Sequence, residues 1–336
     1  MKEKKRMRRY LLPEGKQYKV NLHCHSTVSD GTLSPAEIKK RYQEKGYHAV
    51  AFTDHEILIP HTDLTDENFV ALHGFEAALK DGSPETRTGT TMRAYHFCFI
   101  AKRSDNLLSV GFHPAYVTQG NAPMQIPFAR YTGSFFPREY SPECATRLVR
   151  EANARGFLVT YNHPRWSLQN YNDYKDIEGL FGVEVYNTDT APLGDCNAAV
   201  YEDILRTGKR LVPIAADDNH DDNHLFGGFE MVVADTLSYE ALTDALSRGD
   251  CYASQSPLIE ALYVEDGKVF IETTPSVSLT LLTDTRYVRS VTELDSGTLC
   301  RASFSIPTDV SYIRFEVRDR EGKMAWTRAY GIEELI

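Results

Sequence analysis

The stretch from Lys19 to His55 constrains the fold most, because it reads as strand, helix and strand with polar, ionisable residues at both strand ends. Tyr18 to Leu22 is a short strand candidate that delivers His23-Cys24-His25 at its C-terminal end. Residues two apart on an extended chain point to one face, so His23 and His25 present two imidazoles side by side. Ser34-Pro35-Ala36-Glu37 then combines a serine cap, a proline at the first helical position and a capping glutamate, and Gly46 supplies the stop. Ala49 to Thr53 is a continuous apolar run, as expected of a strand buried on both faces, and Asp54-His55 follows it. Asp30, in the turn Ser29-Asp30-Gly31, adds a carboxylate near the same strand ends.

The alternation returns further along. Ser141-Pro142-Glu143 opens a helix whose apolar positions Ala145, Leu148, Val149 and Ala152 keep helical spacing, and Phe157 to Tyr161 follows as a strand. Gly182 to Tyr186 and Leu211 to Ala215 are strands flanking a helix from Ala198 to Thr207. Phe229 to Ala234 and a helix from Tyr239 to Ser247 complete the series. Repeated β/α units with polar residues at strand C-termini predict a barrel-like α/β domain, since ligand sites of parallel sheets gather at that edge.

Between these blocks, roughly Ser104 to Tyr140, lies an insert rich in Gly, Pro and aromatics, expected to form a lid or rim near the site. From about Ser256 the texture changes to short alternating runs separated by turns such as Asp266-Gly267 and Asp295-Ser296-Gly297. This reads as a small antiparallel β appendage without histidine, suited to packing, oligomerisation or closing one side of a cleft. The expected division is a basic arm at 1–17, an α/β domain at 18–255 and a β-rich domain at 256–336.

Composition excludes several classes. With 42% hydrophobic and 25% charged residues in 336, the chain is an ordinary globular protein. A net charge of -10 argues against an obligatory nucleic-acid partner. The basic residues Lys2, Lys4, Lys5, Arg6, Arg8 and Arg9 read as a solvated arm. No secretory h-region follows them, and no run approaches the roughly 20 apolar residues of a membrane span, so the expected location is the cytoplasm. The six cysteines show no paired spacing and read as reduced, mostly buried thiols.

Further imidazoles and carboxylates end or follow strand candidates: Glu76 in Gly74-Phe75-Glu76-Ala77, His96 in Tyr95-His96-Phe97, His163 in Asn162-His163-Pro164, and Asp217-Asp218-Asn219-His220. Burying so many titratable groups without cations to pair them would be costly. Imidazole and carboxylate without thiolate suit Zn, Mn or Fe in a role other than a purely structural zinc.

These motifs resemble the PHP (polymerase and histidinol phosphatase) superfamily of metal-dependent hydrolases. The likeness rests on Asn21-Leu22-His23-Cys24-His25-Ser26 with Ser29-Asp30-Gly31, on Gly46-Tyr47 leading to Phe52-Thr53-Asp54-His55, on Asn162-His163-Pro164 and on Asp218-Asn219-His220, and it covers about Tyr18 to Ser256. It implies a distorted (β/α)7 barrel holding two or three divalent ions at the C-terminal edge of its strands. The positions matching family ligands are His23, His25, Asp30, His55, Glu76, His96, His163, Asp218 and His220, with Glu76 as the bridging carboxylate. Some members carry His where this chain has Asp30. Asp217 competes with Asp218, although the D-x-H spacing favours Asp218, and Glu184 fits as a partner of a ligand. His48, His61, His73 and His113 lack a matching motif and read as surface or local hydrogen-bonding residues, as does His224, near the last cluster.

Clustered divalent ions make hydroxide available near neutral pH and absorb charge on the substrate. The resemblance therefore implies a phosphoesterase acting on a small phosphorylated metabolite by attack of a metal-bridging hydroxide, with Arg165 and Arg93 as candidate ligands of substrate oxygens. A carboxylic ester, amide or carbamate hydrolase and a silent metal-binding accessory module are the alternatives. The expected partner is a small molecule, with neither nucleic acid nor membrane required.

Overall fold

A computed structural model describes residues 8–82, 91–131, 135–293 and 298–335. The basic residues at 2–6, the polar stretch at 83–90 and the turn Asp295-Ser296-Gly297 lie outside the described residues.

The helix expected after His25 forms at Pro35–Glu44, and its Ser34–Glu37 capping box satisfies two of the backbone donors that a free helix start would expose, those of Ser34 and Glu37. Around it runs a long sheet. Lys16–Asn21 pairs in parallel with Ala49–Phe52, and Ala49–Phe52 with Val70–Lys80. The next strand, Ala94–Ala101, is antiparallel to Val70–Lys80 on one side and to Phe157–Tyr161 on the other. Parallel pairing resumes through Gly182–Asn187 to Val212–Ala216. All residues of these strands from Ala49 onward are buried except Lys80, which explains why they read as apolar runs rather than alternating ones. Helix Pro142–Ala154 packs Cys144, Ala145, Leu148, Val149 and Ala152 into the same core.

The fold is thus mixed α/β, with two strands, Ala94–Ala101 and Phe229–Ala234, running against the rest. Its ladders form an open path, because Val212–Ala216 and Phe229–Ala234, the antiparallel neighbour of Lys16–Asn21, are not joined by a backbone ladder. At that join the buried Glu230 carboxyl accepts the Ala215 N–H at 3.0 Å. Glu76 and His96 lie inside long strands, where strand ends had been expected. Since Ala94–Ala101 runs backwards, its first residues meet the edge where its neighbours end.

Beyond Ser256 the chain does not form one sheet of its own. Met324–Thr327 pairs with Cys251–Ser254 and carries Tyr312–Arg318, Ser278–Thr283 and Arg289–Thr292 onto the main sheet. Ile259–Glu265, Lys268–Ser276 and Leu299–Ser305 form a second sheet whose edge is Arg9–Leu12, inside the stretch expected as an arm. Fully buried Arg314 ties this region to helix Ala199–Arg206 through Glu202, 2.7 Å from Nε, and also meets Glu316 at 2.9 Å.

The insert packs on the rim. Phe112, Val117 and Ala122 form a small core with Val28 and Ile57, and Asn121 binds the His25–Asp30 turn through its N–H to Ser29 O (2.7 Å) and its side chain to Thr27 O (3.1 Å). Among the described residues no helix is long and apolar enough to cross a membrane.

Candidate metal centre

Buried polar groups set the backbone before any ligand is placed. The Asp54 carboxylate accepts the N–H and hydroxyl of both Ser26 and Ser29, which folds the chain so that Asp30 turns back towards His25. Gly31 is needed there, since a Cβ would lie 2.6 Å from His25 O. Asp217 is occupied elsewhere: its carboxylate accepts from Tyr42, Thr188 and the N–H groups of Phe226, Gly227 and Gly228. Asp218 adopts φ +53° and faces the cluster, so geometry separates the two aspartates.

The nine candidate ligands converge. His23 Nδ1 lies 2.8 Å from Glu184 Oε1, and Glu184 Oε2 accepts His163 N–H (2.8 Å) and Asn187 Nδ2 (2.9 Å). With Nδ1 engaged by that carboxylate, Nε2 is the ring nitrogen of His23 left for the cluster. That atom sits 3.1 Å from His25 Nε2, 3.1 Å from Asp218 Oδ1 and 3.3 Å from Glu76 Oε1. Glu76 is also 3.2 Å from His96 Nδ1, 3.2 Å from His163 Nε2 and 3.0 Å from His55 Nδ1. Asp30 stands 3.4 Å from His55 Nε2 and 3.7 Å from His220 Nε2. Four groups result, each with its donor atoms within 4.8 Å of one another: His25, Asp30, His55 and His220, and three that share members, His23, His163 and Asp218; Glu76, His96 and His163; and His23, Glu76 and Cys98.

The donor set fits divalent cations. Glu76 Oε2, Asp218 Oδ1, His25 Nδ1 and His96 Nδ1 are buried with no hydrogen-bond partner among the described residues, although ionisable neighbours stand close by. Leaving such atoms buried and unsatisfied costs about 1–3 kcal/mol each, a cost that cations held among them would remove. Proton affinities give the same picture. Against the lowering by burial, the neighbouring carboxylates and Asp30 raise His55 to about 10, and those around His163 and His220 raise each to about 9; His23 is also raised well above its ordinary value. Burial opposes ionisation of Glu76 and Asp218, yet the surrounding imidazoles hold both well below the usual carboxylate range. Burial, then His55 and His220, push His25 down to about 4, and burial lowers His96. The pocket therefore holds a negative potential that draws positive charge.

Cys98 belongs to this cluster, which corrects the expectation of a thiol-free donor set. Its Sγ accepts from Asn162 Nδ2 at 3.0 Å, and burial pushes its pKa up to about 11, so it remains a thiol in the cation-free cluster. It stands two residues beyond His96 on one strand, and the two-residue period applied there would have found it.

A cavity of about 440 Å³ opens over seven of the ligands, Asp30, His55, Glu76, His96, His163, Asp218 and His220. Lys80, Gln119, Trp166 and Asp189 also line it, and Gln119 comes from the insert, which thereby serves as a rim. Neither expected arginine lines it. Arg93 is held by Asp81 at 2.9 Å and stacks over Tyr140, while Arg165 is exposed with its N–H given to Asp195. Standing beside a ligand in sequence did not fix the direction of either side chain. His48 accepts Lys19 N–H, His113 accepts Ala115 N–H, His61 packs on Phe52 and His73 packs on Tyr239, all apart from the cluster. His224 lies 3.1 Å from Asp189. Asp189 follows Gly182–Asn187, where the strand-end rule would have flagged it.

A family model for the PHP domain matches residues 21–326. The chain belongs to the PHP domain family. This PHP chain is also similar, at 48% identity over 40 residues, to a 5'-3' exoribonuclease of Haemophilus influenzae, a match spanning 12% of this chain and 15% of that protein. Among solved structures it resembles a two-domain protein from Bacteroides vulgatus described as containing a predicted PHP-like metal-dependent phosphoesterase (15% identity, 97% of this chain and 99% of that one, TM-score 0.42). It also resembles an amidohydrolase from Chromobacterium violaceum (17% identity, 60% of this chain and 88% of that one, TM-score 0.37).

Proposed function

We propose that this protein is a metal-dependent phosphoesterase acting on a small phosphorylated metabolite. One observation carries the reading: His23 Nε2 faces His25, Asp218 and Glu76 at 3.1–3.3 Å in a buried pocket, an arrangement that cations relieve. Two or three ions of Zn, Mn or Fe would be held by these donor groups, with Glu76, a member of two of them, as the residue that could serve more than one ion. When bound, such ions make water acidic enough to react near neutral pH and offset charge on phosphoryl oxygens.

The chain's own residues do the rest. Glu184 holds His23 in the tautomer whose free nitrogen faces the ligands, and Ser167, 3.2 Å from His163 Nδ1, fixes the second ring. Trp166 sets its ring edge-to-face against His96 and His163 at the cavity wall. The net charge of -10 and the cavity size support a small-molecule substrate over a polymer. In this reading the main strands form a distorted (β/α)7 barrel in residues 18–255, with the Glu230–Ala215 bond spanning its open join and 256–336 as a β-rich accessory domain.

The test is a panel of phosphomonoesters, phosphodiesters, aryl esters and carbamates assayed with Mn, Zn and Fe, with Asp218→Ala as control. Phosphoester turnover that the variant abolishes while staying folded is expected. Turnover of carbon esters alone would transfer the site to the second class of hydrolase, and no turnover under any metal would favour a silent module.

A further inference from the structure

The cavity over the ligands contains a cation that the chemistry so far leaves unused. Lys80 ends strand Val70–Lys80, and residues 76, 78 and 80 share the face that starts at Glu76. Among the described residues the Lys80 ammonium has no carboxylate within ion-pair distance, whereas four carboxylates, Asp30, Glu76, Asp189 and Asp218, line the same cavity. Lys80 also lines a second cavity of about 240 Å³ that the insert builds with Tyr116, Thr118 and Arg138. In that annex Arg138 is neutralised: its Nη1 lies 2.6 Å from Glu56 Oε2 and donates to Ala78 O, and its ring neighbour is Tyr116. Its buried Nε has no partner among the described residues. The annex therefore carries one uncompensated positive charge, from Lys80 where it meets the acidic cavity, and an unspent buried donor on Arg138.

We propose that Lys80 and the annex form a second anion subsite, so that the substrate is an ester whose far end carries an oxyanion. The inference rests on the phosphoesterase reading and narrows it to doubly anionic substrates. Four strand residues at about 3.3 Å each place the Lys80 backbone about 13 Å from that of Glu76, so the two anions are separated by a spacer of several bonds. The side chain of Lys80 is a flexible point charge, which suits an anion of either geometry, carboxylate or phosphate.

A chemical ruler tests this. α,ω-Alkane bisphosphonates from ethane to octane, the matched monophosphonates and the ω-carboxyalkylphosphonates are titrated calorimetrically into zinc-loaded protein. One bisphosphonate or phosphonocarboxylate length is expected to bind about tenfold tighter than its monophosphonate, the loss of one charge-assisted hydrogen bond being of that order. Lys80→Gln should remove this gain and Lys80→Arg should restore most of it; which series shows the gain identifies the far anion. Equal binding of mono- and dianionic ligands by the wild type, or a gain that survives in Lys80→Gln, overturns the subsite while leaving the phosphoesterase reading intact. No binding of any monophosphonate overturns that reading, and the subsite with it.

Discussion

Glu184→Gln is the most informative single substitution, because Glu184 touches the cluster only through another residue. Its two oxygens accept three donors, His23 Nδ1–H at 2.8 Å, His163 N–H at 2.8 Å and Asn187 Nδ2 at 2.9 Å. Glutamine keeps the shape but offers one acceptor oxygen and one N–H2 group, so at least one of these donors must face another donor. If the amide oxygen stays with His163 and Asn187, the imidazole of His23 loses its anchor and is free to place N–H, rather than a lone pair, towards Glu76 and Asp218. Substitutions of this kind cost about 10–100-fold in metal affinity. That is about 1.4–2.8 kcal/mol at 1.4 kcal/mol per tenfold. The metal-free protein should also lose stability, because a charge-assisted hydrogen bond is worth about 1.5–3 kcal/mol. Competition with a chelator for zinc reads the first quantity and urea unfolding in chelator the second. Unchanged zinc affinity in a variant that unfolds earlier would refute the claim that Glu184 acts by orienting His23.

Three further outcomes follow from other parts of the molecule. Glu202→Ala strips the fully buried Arg314 guanidinium of one of its two carboxylates, and the cost should be about 3 kcal/mol in urea unfolding; a loss below about 1 kcal/mol would show that Glu316 alone suffices. Burial holds the Glu230 carboxyl protonated far above its ordinary 4.5, so the unfolded chain releases this proton first, and above about pH 4.5 this group should cost the wild type up to about 1.4 kcal/mol per pH unit. Glu230→Gln should therefore gain stability relative to wild type as pH rises, and parallel pH profiles of unfolding would contradict a neutral acid. Finally, with His55 near 10 and His163 and His220 near 9 in the cation-free cluster, zinc binding at pH 7 must expel protons and tighten as pH rises towards 9. Calorimetric heats that do not vary with the ionisation enthalpy of the buffer would rule this out.

Much of the centre was legible because its geometry is local. His23 and His25 share a face by strand period, and the Ser34–Glu37 box fixes the helix that separates them from His55. The D-x-H spacing favoured Asp218, and the five donors on Asp217 show the physical reason. Strand direction was not legible. Ala94–Ala101 is a uniformly buried run that reads alike both ways, so the edge on which His96 and Cys98 lie could not be assigned from order alone. Long-range pairing was equally hidden: nothing in the alternating run near Trp326 announces that Ala253 is its partner and that the C-terminal strands extend the main sheet. The two arginines misled because proximity to His163 and His96 in sequence says nothing about an opposing carboxylate, and Asp81 and Asp195 decide where those segments are held.

The central claim is that nine side chains from one sheet edge enclose a multi-ion pocket, and anomalous diffraction tests it most directly. Data collected at the zinc, iron and manganese edges from protein purified without added metal should show two or three peaks among His23, His25, His55, Glu76, His163 and Asp218, at about 2.0–2.2 Å from their nitrogen and oxygen atoms. Fully scaled maps without an anomalous peak in that cluster, even after soaking in all three metals, would contradict the account.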